Sequence, residues 1–221
     1  MPGRPQSCPT PPRRGPRRSP RRLRILLAIS SKLGFTIENA LKYRIAEDSA
    51  TTDYLTGLPN ARSLFLHLDR EIARCKRANL PLAVFVSDLN GFKQVNDRFG
   101  HFQGNKLLQM FAEALKDSCR EYDYAARMGG DEFVVVAAGL AQDAAAEMAR
   151  RLETIIAEVG KNVCNEDLVS VSIGQAFYPA DGRNAEHLLA EADRRMYGAK
   201  HSHYASVADR QGKARSAGAT S

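Results

Sequence analysis

The stretch Arg127-Met128-Gly129-Gly130-Asp131-Glu132-Phe133, followed at once by Val134-Val135-Val136, decides the fold of this chain. Two glycines, two carboxylates and a β-branched run describe a tight hairpin turn opening into a buried strand. Gly129 and Gly130 let the backbone take positive φ and let a bulky anionic ligand approach the main chain closely. Asp131 and Glu132 repel one another and gain nothing from packing, which points to a cation. The turn reads as one built for a metal-bound phosphate. On these letters alone, a solvated Gly-Gly-Asp hairpin is the competing reading.

Outward from the hairpin, the elements alternate. Upstream, Leu82 to Leu89 is a short apolar strand, and Asn105 is a candidate N-cap for a helix carrying Leu107, Leu108, Phe111 and Leu115. Tyr124 to Met128 and Glu132 to Ala138 form the hairpin's two arms. Ala144 to Val159 follows with Met148, Leu152, Ile155 and Ile156 at helical core spacing. Leu168 to Tyr178 is a strand whose Val169, Val171 and Ile173 alternate with polar residues. Leu188, Leu189, Ala192, Met196 and Tyr197 mark a last helix. This is an α+β, ferredoxin-like βαββαβ pattern: an antiparallel sheet flanked by helices, with the first strand beside the third. The end of the first strand and the start of the third then share one rim, which brings Asp88 to Asp131.

The chain has 221 residues, room for one domain of about 150–170 residues plus appendages. Its net charge of +7 is misleading, because residues 1–24 hold eight arginines and no acid; without them the charge is −1. That Arg/Pro-rich segment reads as a disordered tail or a misassigned start. Its charge suits nucleic acid or an anionic membrane, but no aromatic residue interleaves the arginines to stack on bases, so no nucleic acid is expected. Residues 25–50 carry a helical stripe at Leu33, Ile37, Leu41 and Ile45, either a connector helix on the domain's amino side or simple packing. The apolar run Leu23 to Ile29 is interrupted by Arg24 and too short to span a bilayer, so the chain reads as cytoplasmic. Cys8, Cys75, Cys119 and Cys164 are scattered, as reduced core thiols are.

Before the first strand, Asp53 to Asn60 breaks the helical pattern, and Leu64, Leu68, Ile72 and Cys75 follow on one helix face. At the rim, Asp88, Asp131 and a main-chain carbonyl near Leu89 offer hard oxygen ligands. A divalent cation such as magnesium takes a few of these and shares the rest of its shell with substrate phosphates. Glu132 is placed to ligate a metal or to help deprotonate an attacking hydroxyl. Amides around Gly91 to Lys93, opening toward a helical segment, suit phosphate oxygens, and Lys93 adds a point charge. Asn96 offers hydrogen bonds to a base edge. A lone His101 reads as a structural hydrogen-bonding residue.

Gly129 to Phe133 is a literal GGDEF signature, and the chain resembles the GGDEF family of diguanylate cyclases. The likeness extends through Asp53–Asn60 (DYLTGLPN), Asp88–Asn96, Asn96–His101 (NDRFGH) and Asp193–Lys200 (DRRMYGAK), about residues 50 to 200. It implies a palm-type fold, a GGDEF domain over residues 51–203 and a disordered tail over 204–221. It implies a homodimer that condenses two GTP into cyclic di-GMP and pyrophosphate with Mg2+ or Mn2+. By the same resemblance, Asp88, Asp131 and the Leu89 carbonyl hold the metal, with Glu132 beside them. Phe92 and Lys93 meet the terminal phosphates, Asn96 and the Asn105 position the guanine, and Lys200 the triphosphate. Arg120 and Asp123 occupy the family's RxxD inhibitory site, where product binds; a solvated turn is the bland alternative. The helix Thr36 to Tyr43 is similar to the end of a GAF sensory domain.

Three departures stand out. Asn105 replaces an Asp that the family usually carries, His203-Tyr204 replaces a Gly-Arg, and Ala61 replaces an Arg. They bear on base choice and on triphosphate affinity. The alternatives to an active, product-inhibited cyclase are therefore a catalytically weak cyclic di-GMP receptor and a relaxed-specificity cyclic dinucleotide synthase. A nucleic-acid binder acting through the arginine segment is a third.

Overall fold

A computed structural model describes residues 51–218, with side chains described through residue 206. The expected tail over 1–24, the connector helix over 25–50, the GAF-like segment and Cys8 all lie outside the described residues.

Helix α1 spans Ala61–Ala78 and begins where the Asn60 side chain accepts a hydrogen bond from the Ser63 amide at 3.1 Å. It ends at Asn79, which takes the left-handed conformation. Strand β1 (Leu82–Asn90) follows, and all nine of its residues are buried. Two helices, α2 (Phe92–Phe99) and α3 (His101–Ser118), lead to the hairpin of β2 (Asp123–Gly129) and β3 (Glu132–Ala138). Helix α4 (Gln142–Cys164), strand β4 (Ser170–Tyr178) and helix α5 (Ala185–Gly218) complete the order.

The four strands form one sheet in the order β2-β3-β1-β4, and every neighbouring pair is antiparallel. The expected adjacency of first and third strands is present: Val84 faces Val136 and Asp88 faces Glu132. Strand side chains alternate between faces. Ala83, Phe85, Phe133 and Val135 pack with Leu107, Phe111, Leu152 and Ile156 of α3 and α4. Leu82, Val84, Val134 and Val136 pack with Leu64 and Leu68 of α1 and Leu188 and Ala192 of α5. Both faces are thus covered, and that is why β1 carries no polar alternation. Phe85, Phe111 and Phe133 are fully buried, and each such side chain contributes about 1.5–3 kcal/mol to folding.

Several local expectations need correction. Asn105 is not an N-cap: α3 starts at His101, because Gly100, at φ 83°, turns the chain directly from α2 into α3. Asn105 therefore sits one turn inside the helix and is exposed. In β4 the buried face within the strand is Ser172, Gly174 and Ala176, while Val171 and Ile173 are only half-buried. The cause is Gly174: a Cβ there would lie 1.9 Å from the Ala192 carbonyl oxygen, so the α5 backbone rests directly on the strand. That approach directs Ala192 and Met196 inward and leaves Tyr197 60% exposed, not in the core as its spacing suggests. Helix α5 continues to Gly218, past residue 203, where the sequence suggested an end of structure. Cys75 and Cys164 are buried free thiols, and Cys119 is half-buried. Among the described residues, no helix is long and apolar enough to cross a membrane.

Candidate active site

The rim where β1 ends and β3 begins is built from strand parity. Asp88 and Glu132 are register partners, so both side chains leave the sheet on the face covered by α5. The Leu89 amide donates to the Asp131 carbonyl at 3.2 Å, tying the turn to the end of β1. Gly130 takes φ 52°, a conformation that a side chain would disfavour, and the register shifts between Arg127 and Gly129. On α5, Lys200 reaches back across the rim, its Nζ 2.7 Å from Asp88 Oδ1. Asp88 is only 5% exposed, and Lys200 is the cation paired with it.

Electrostatics at the rim are those of crowded carboxylates. Burial raises the Asp131 carboxyl above its usual range, and the Asp88 charge raises it further. Burial does the same to Glu132, reinforced by Asp88, Asp193 and Asp131. Burial would lower the Lys200 ammonium, but its hydrogen bond and ion pair with Asp88 outweigh that and raise it. Among the described residues, no three His, Cys, Asp or Glu side chains converge as a metal cage. Asp88, Asp131 and the Leu89 carbonyl are hard oxygens, and Lys200 stands as a cation beside several crowded carboxylates. That chemistry fits a divalent cation that completes its shell with phosphate.

Beside the acids lies an anion cradle. Gly91 caps the amino end of α2 at φ 81°, and a Cβ there would meet the Leu168 carbonyl oxygen at 2.2 Å. Only glycine fits, and the first amides of α2 have no partner within the helix. Lys93 is exposed in that first turn, while Phe92 is half-buried and packs on the core. Asn96 is half-buried against Gly104, where a Cβ would come within 2.0 Å of Asn96 Oδ1. The small residue at 104 makes room for the Asn96 amide between α2 and α3. Asn90 is fully satisfied by Ser172 (2.9 Å) and Ser170 (3.1 Å), which fixes the end of β1 against β4. His101 is exposed and forms no hydrogen bond through its side chain among the described residues, so it is not the structural bonder its sequence context suggested.

Sequence reading missed the buttress beneath the turn. Arg127, 8% exposed, donates from Nη2 to the Gly130 carbonyl at 2.6 Å and from Nη1 to Asp53 Oδ1 at 2.7 Å. Its amide donates to the Pro59 carbonyl at 2.9 Å. Burial alone would raise Asp53, but the Thr56 hydroxyl, Arg127 and the Thr56 amide together hold it below the usual carboxylate range. The loop Asp53–Asn60 is thereby bonded to the catalytic turn. An arginine two residues before a glycine turn was the available signal.

Arg120 and Asp123 sit at the opposite end of β2, about 20 Å along the strand from the turn. Their main chains close a turn: the Arg120 amide donates to Asp123 Oδ2 at 2.9 Å, and the Asp123 amide to the Arg120 carbonyl at 3.0 Å. A cavity of about 100 Å³ opens there, lined also by Glu147, Met148 and Arg151 of α4. Arg151 escaped sequence reading. Its Nε is buried with no hydrogen-bond partner among the described residues.

The class is that of an antiparallel palm-type sheet with clustered carboxylates at one rim. Residues 50–205 match the family described as "Diguanylate cyclase, GGDEF domain". The chain is 40% identical over 151 residues to the bifunctional diguanylate cyclase/cyclic di-GMP phosphodiesterase MucR of Pseudomonas aeruginosa, covering 68% of this chain and 22% of that protein. A sensory box/GGDEF family protein from Caulobacter crescentus is 41% identical with TM-score 0.62, covering 69% of this chain and 99% of that one. The coiled coil and GGDEF domain of DgcB from Caulobacter crescentus, solved in complex with c-di-GMP, is 28% identical with TM-score 0.64, covering 81% and 95%. The chain belongs to the GGDEF family of diguanylate cyclases. It spans about a fifth of the length of curated relatives such as MucR.

Proposed function

We propose that this chain is a diguanylate cyclase that condenses two GTP into cyclic di-GMP, with one GTP held by each protomer of a homodimer. The observation that carries the reading is the convergence of Asp88, Asp131, Glu132 and Lys200 beside the Gly91 cradle. Asp88, Asp131 and the Leu89 carbonyl would hold Mg2+ or Mn2+, which supplies charge neutralisation at the reacting phosphate and the leaving pyrophosphate. The amides of Phe92 and Lys93, with the Lys93 charge, hold the terminal phosphates. Asn96 and Asn105 face the guanine edge, and Gly129 and Gly130 let the triphosphate lie against the main chain. Lys200 exchanges its Asp88 partner for a phosphate oxygen when the nucleotide enters. The 3′-hydroxyl oxygen of one GTP bonds to the α-phosphorus of the other, the α–β bridging bond breaks, and pyrophosphate leaves. Glu132, its proton affinity raised by burial and then by its acidic neighbours, takes the hydroxyl proton. Two such steps close the ring. The reading places the protein in the cytoplasm, where GTP is.

Arg120, Asp123 and Arg151 form the regulatory half of the proposal. An arginine pairs with phosphate or stacks on a purine, so these side chains suit one phosphate or base of returning product. A catalytically weak cyclic di-GMP receptor is the second reading, favoured by Tyr204 and Asn105 standing where relatives carry charged groups. Asp131→Ala separates the two. The acid lies on a turn, so its loss removes catalysis and leaves the fold; a cyclase loses dinucleotide synthesis in this variant while still binding product. Synthesis within tenfold of the parent would refute the assignment of Asp131. Arg120→Ala is expected to relieve inhibition by added cyclic di-GMP without lowering the initial rate, and unchanged inhibition would reduce the tetrad to a surface turn.

A further inference from the structure

On the α1/α5 side of the hairpin lies a second cavity, of about 230 Å³, that shares only Glu132 with the proposed catalytic rim. Phe65 of α1, Val86 of β1, Met128 of β2 and Leu189 of α5 form its body, and Phe65 is 41% exposed at its mouth. Three carboxylates, Glu132, Glu186 and Asp193, complete the wall. No lysine, arginine or histidine lines it. Three cations of α5 are engaged elsewhere: Arg194 with Glu191, Arg195 with Asp181 and Glu191, and Lys200 with Asp88. Glu186 and Asp193 form no ion pair among the described residues.

We infer that this cavity binds a small organic cation: a flat apolar body carrying an amidinium, guanidinium or ammonium head. The combination excludes simpler occupants. A hard metal ion gains nothing from the apolar side chains of Phe65, Val86, Met128 and Leu189. A neutral apolar molecule would desolvate the carboxylates without pairing them. A cationic head beside Glu186 and Asp193, with a ring against Met128 and Leu189, satisfies both halves of the lining. The volume matches one ring with a short polar head. Because Glu132 also belongs to the catalytic rim, an occupant here is in contact with the catalytic turn from behind. The inference stands on the cavity and does not depend on the cyclase reading.

Benzamidine and its neutral analogue benzamide are the probes, titrated against the whole chain with the Met128 methyl resonance as readout. Benzamidine is expected to shift that resonance saturably and benzamide to leave it unmoved. Ala190, exposed at the cavity wall, becomes the block: Ala190→Phe is expected to abolish the shift. The double variant Glu186→Gln/Asp193→Asn is expected to weaken binding roughly tenfold, the loss that two partly screened charges give. Thermal unfolding of each variant reports that it is folded, and the double variant carries the test if Ala190→Phe is not. The inference is overturned by equal binding of benzamide, by an undiminished shift in a folded blocking variant, or by no shift with either probe.

Discussion

Asn105 stands where the family resemblance implies a carboxylate. Guanine presents two donors on its Watson–Crick edge, which a carboxylate accepts together, whereas a carboxamide offers one acceptor and one donor. The mismatch costs about 1 kcal/mol, roughly fivefold, at the low end of the usual range because Asn105 is exposed. Asn105→Asp is therefore expected to raise GTP preference over ATP about fivefold. Competition in equimolar nucleotides measures it, and a variant whose preference matches the parent would remove Asn105 from base selection. Tyr204 is the companion position, one helical turn beyond Lys200. At this scale the sequence was legible where chemistry sits on a turn. Gly129, Gly130 and Asp131 announce themselves by residue type. Arg151 does not, because a charged residue on a helix reads as a solvated one until its cavity is seen.

At the scale of elements, the hairpin depends on its buttress. Removing Asp53 leaves the buried Arg127 guanidinium facing Gly130 alone, and breaking such a pair costs on the order of 3 kcal/mol. Asp53→Ala is expected to lower the unfolding midpoint accordingly and to slow turnover, because the Gly130 carbonyl loses its anchored donor. The pH dependence follows from the depressed carboxyl. Its stabilisation is fully present above the ordinary carboxylate pKa and is lost as pH falls through the lower folded value. The gap in stability between parent and Asp53→Ala should be constant near neutrality and should shrink only below about pH 4. A gap that persists unchanged in acid would show that packing, not charge, holds the loop. His67 has the opposite character. Burial depresses its imidazole while it stacks on Tyr124 at 3.7 Å with Nε2 unpartnered, so protonation opposes the fold. Stability should rise with pH through the histidine range, and His67→Phe should flatten that rise. The strand order was readable from the alternation of periods, because β1, β2, β3 and the helices each carry an unmixed pattern. The face of β4 was not. Its burial is set by how closely α5 lies on Gly174, a tertiary contact with no trace in local periodicity.

For the whole molecule, the fold brings residues from four separate stretches, Asp88, Gly91 to Asn96, Asp131–Glu132 and Lys200, to one rim. The same sheet carries the Arg120–Asp123–Arg151 cavity at the far end of β2. Topology could be anticipated because antiparallel adjacency of β1 and β3 forces Asp88 toward Asp131. The link from Asp53 through Arg127 to the turn could not, because it joins residues 74 apart in sequence without a shared pattern. The central claim is that this rim makes a cyclic dinucleotide from GTP. The most direct measurement is to incubate the protein with magnesium, GTP and ATP and identify the products by mass spectrometry. The account predicts cyclic di-GMP as the main product, formed together with pyrophosphate and absent from Asp131→Ala. Unconsumed GTP in the presence of folded, nucleotide-bound protein would contradict it.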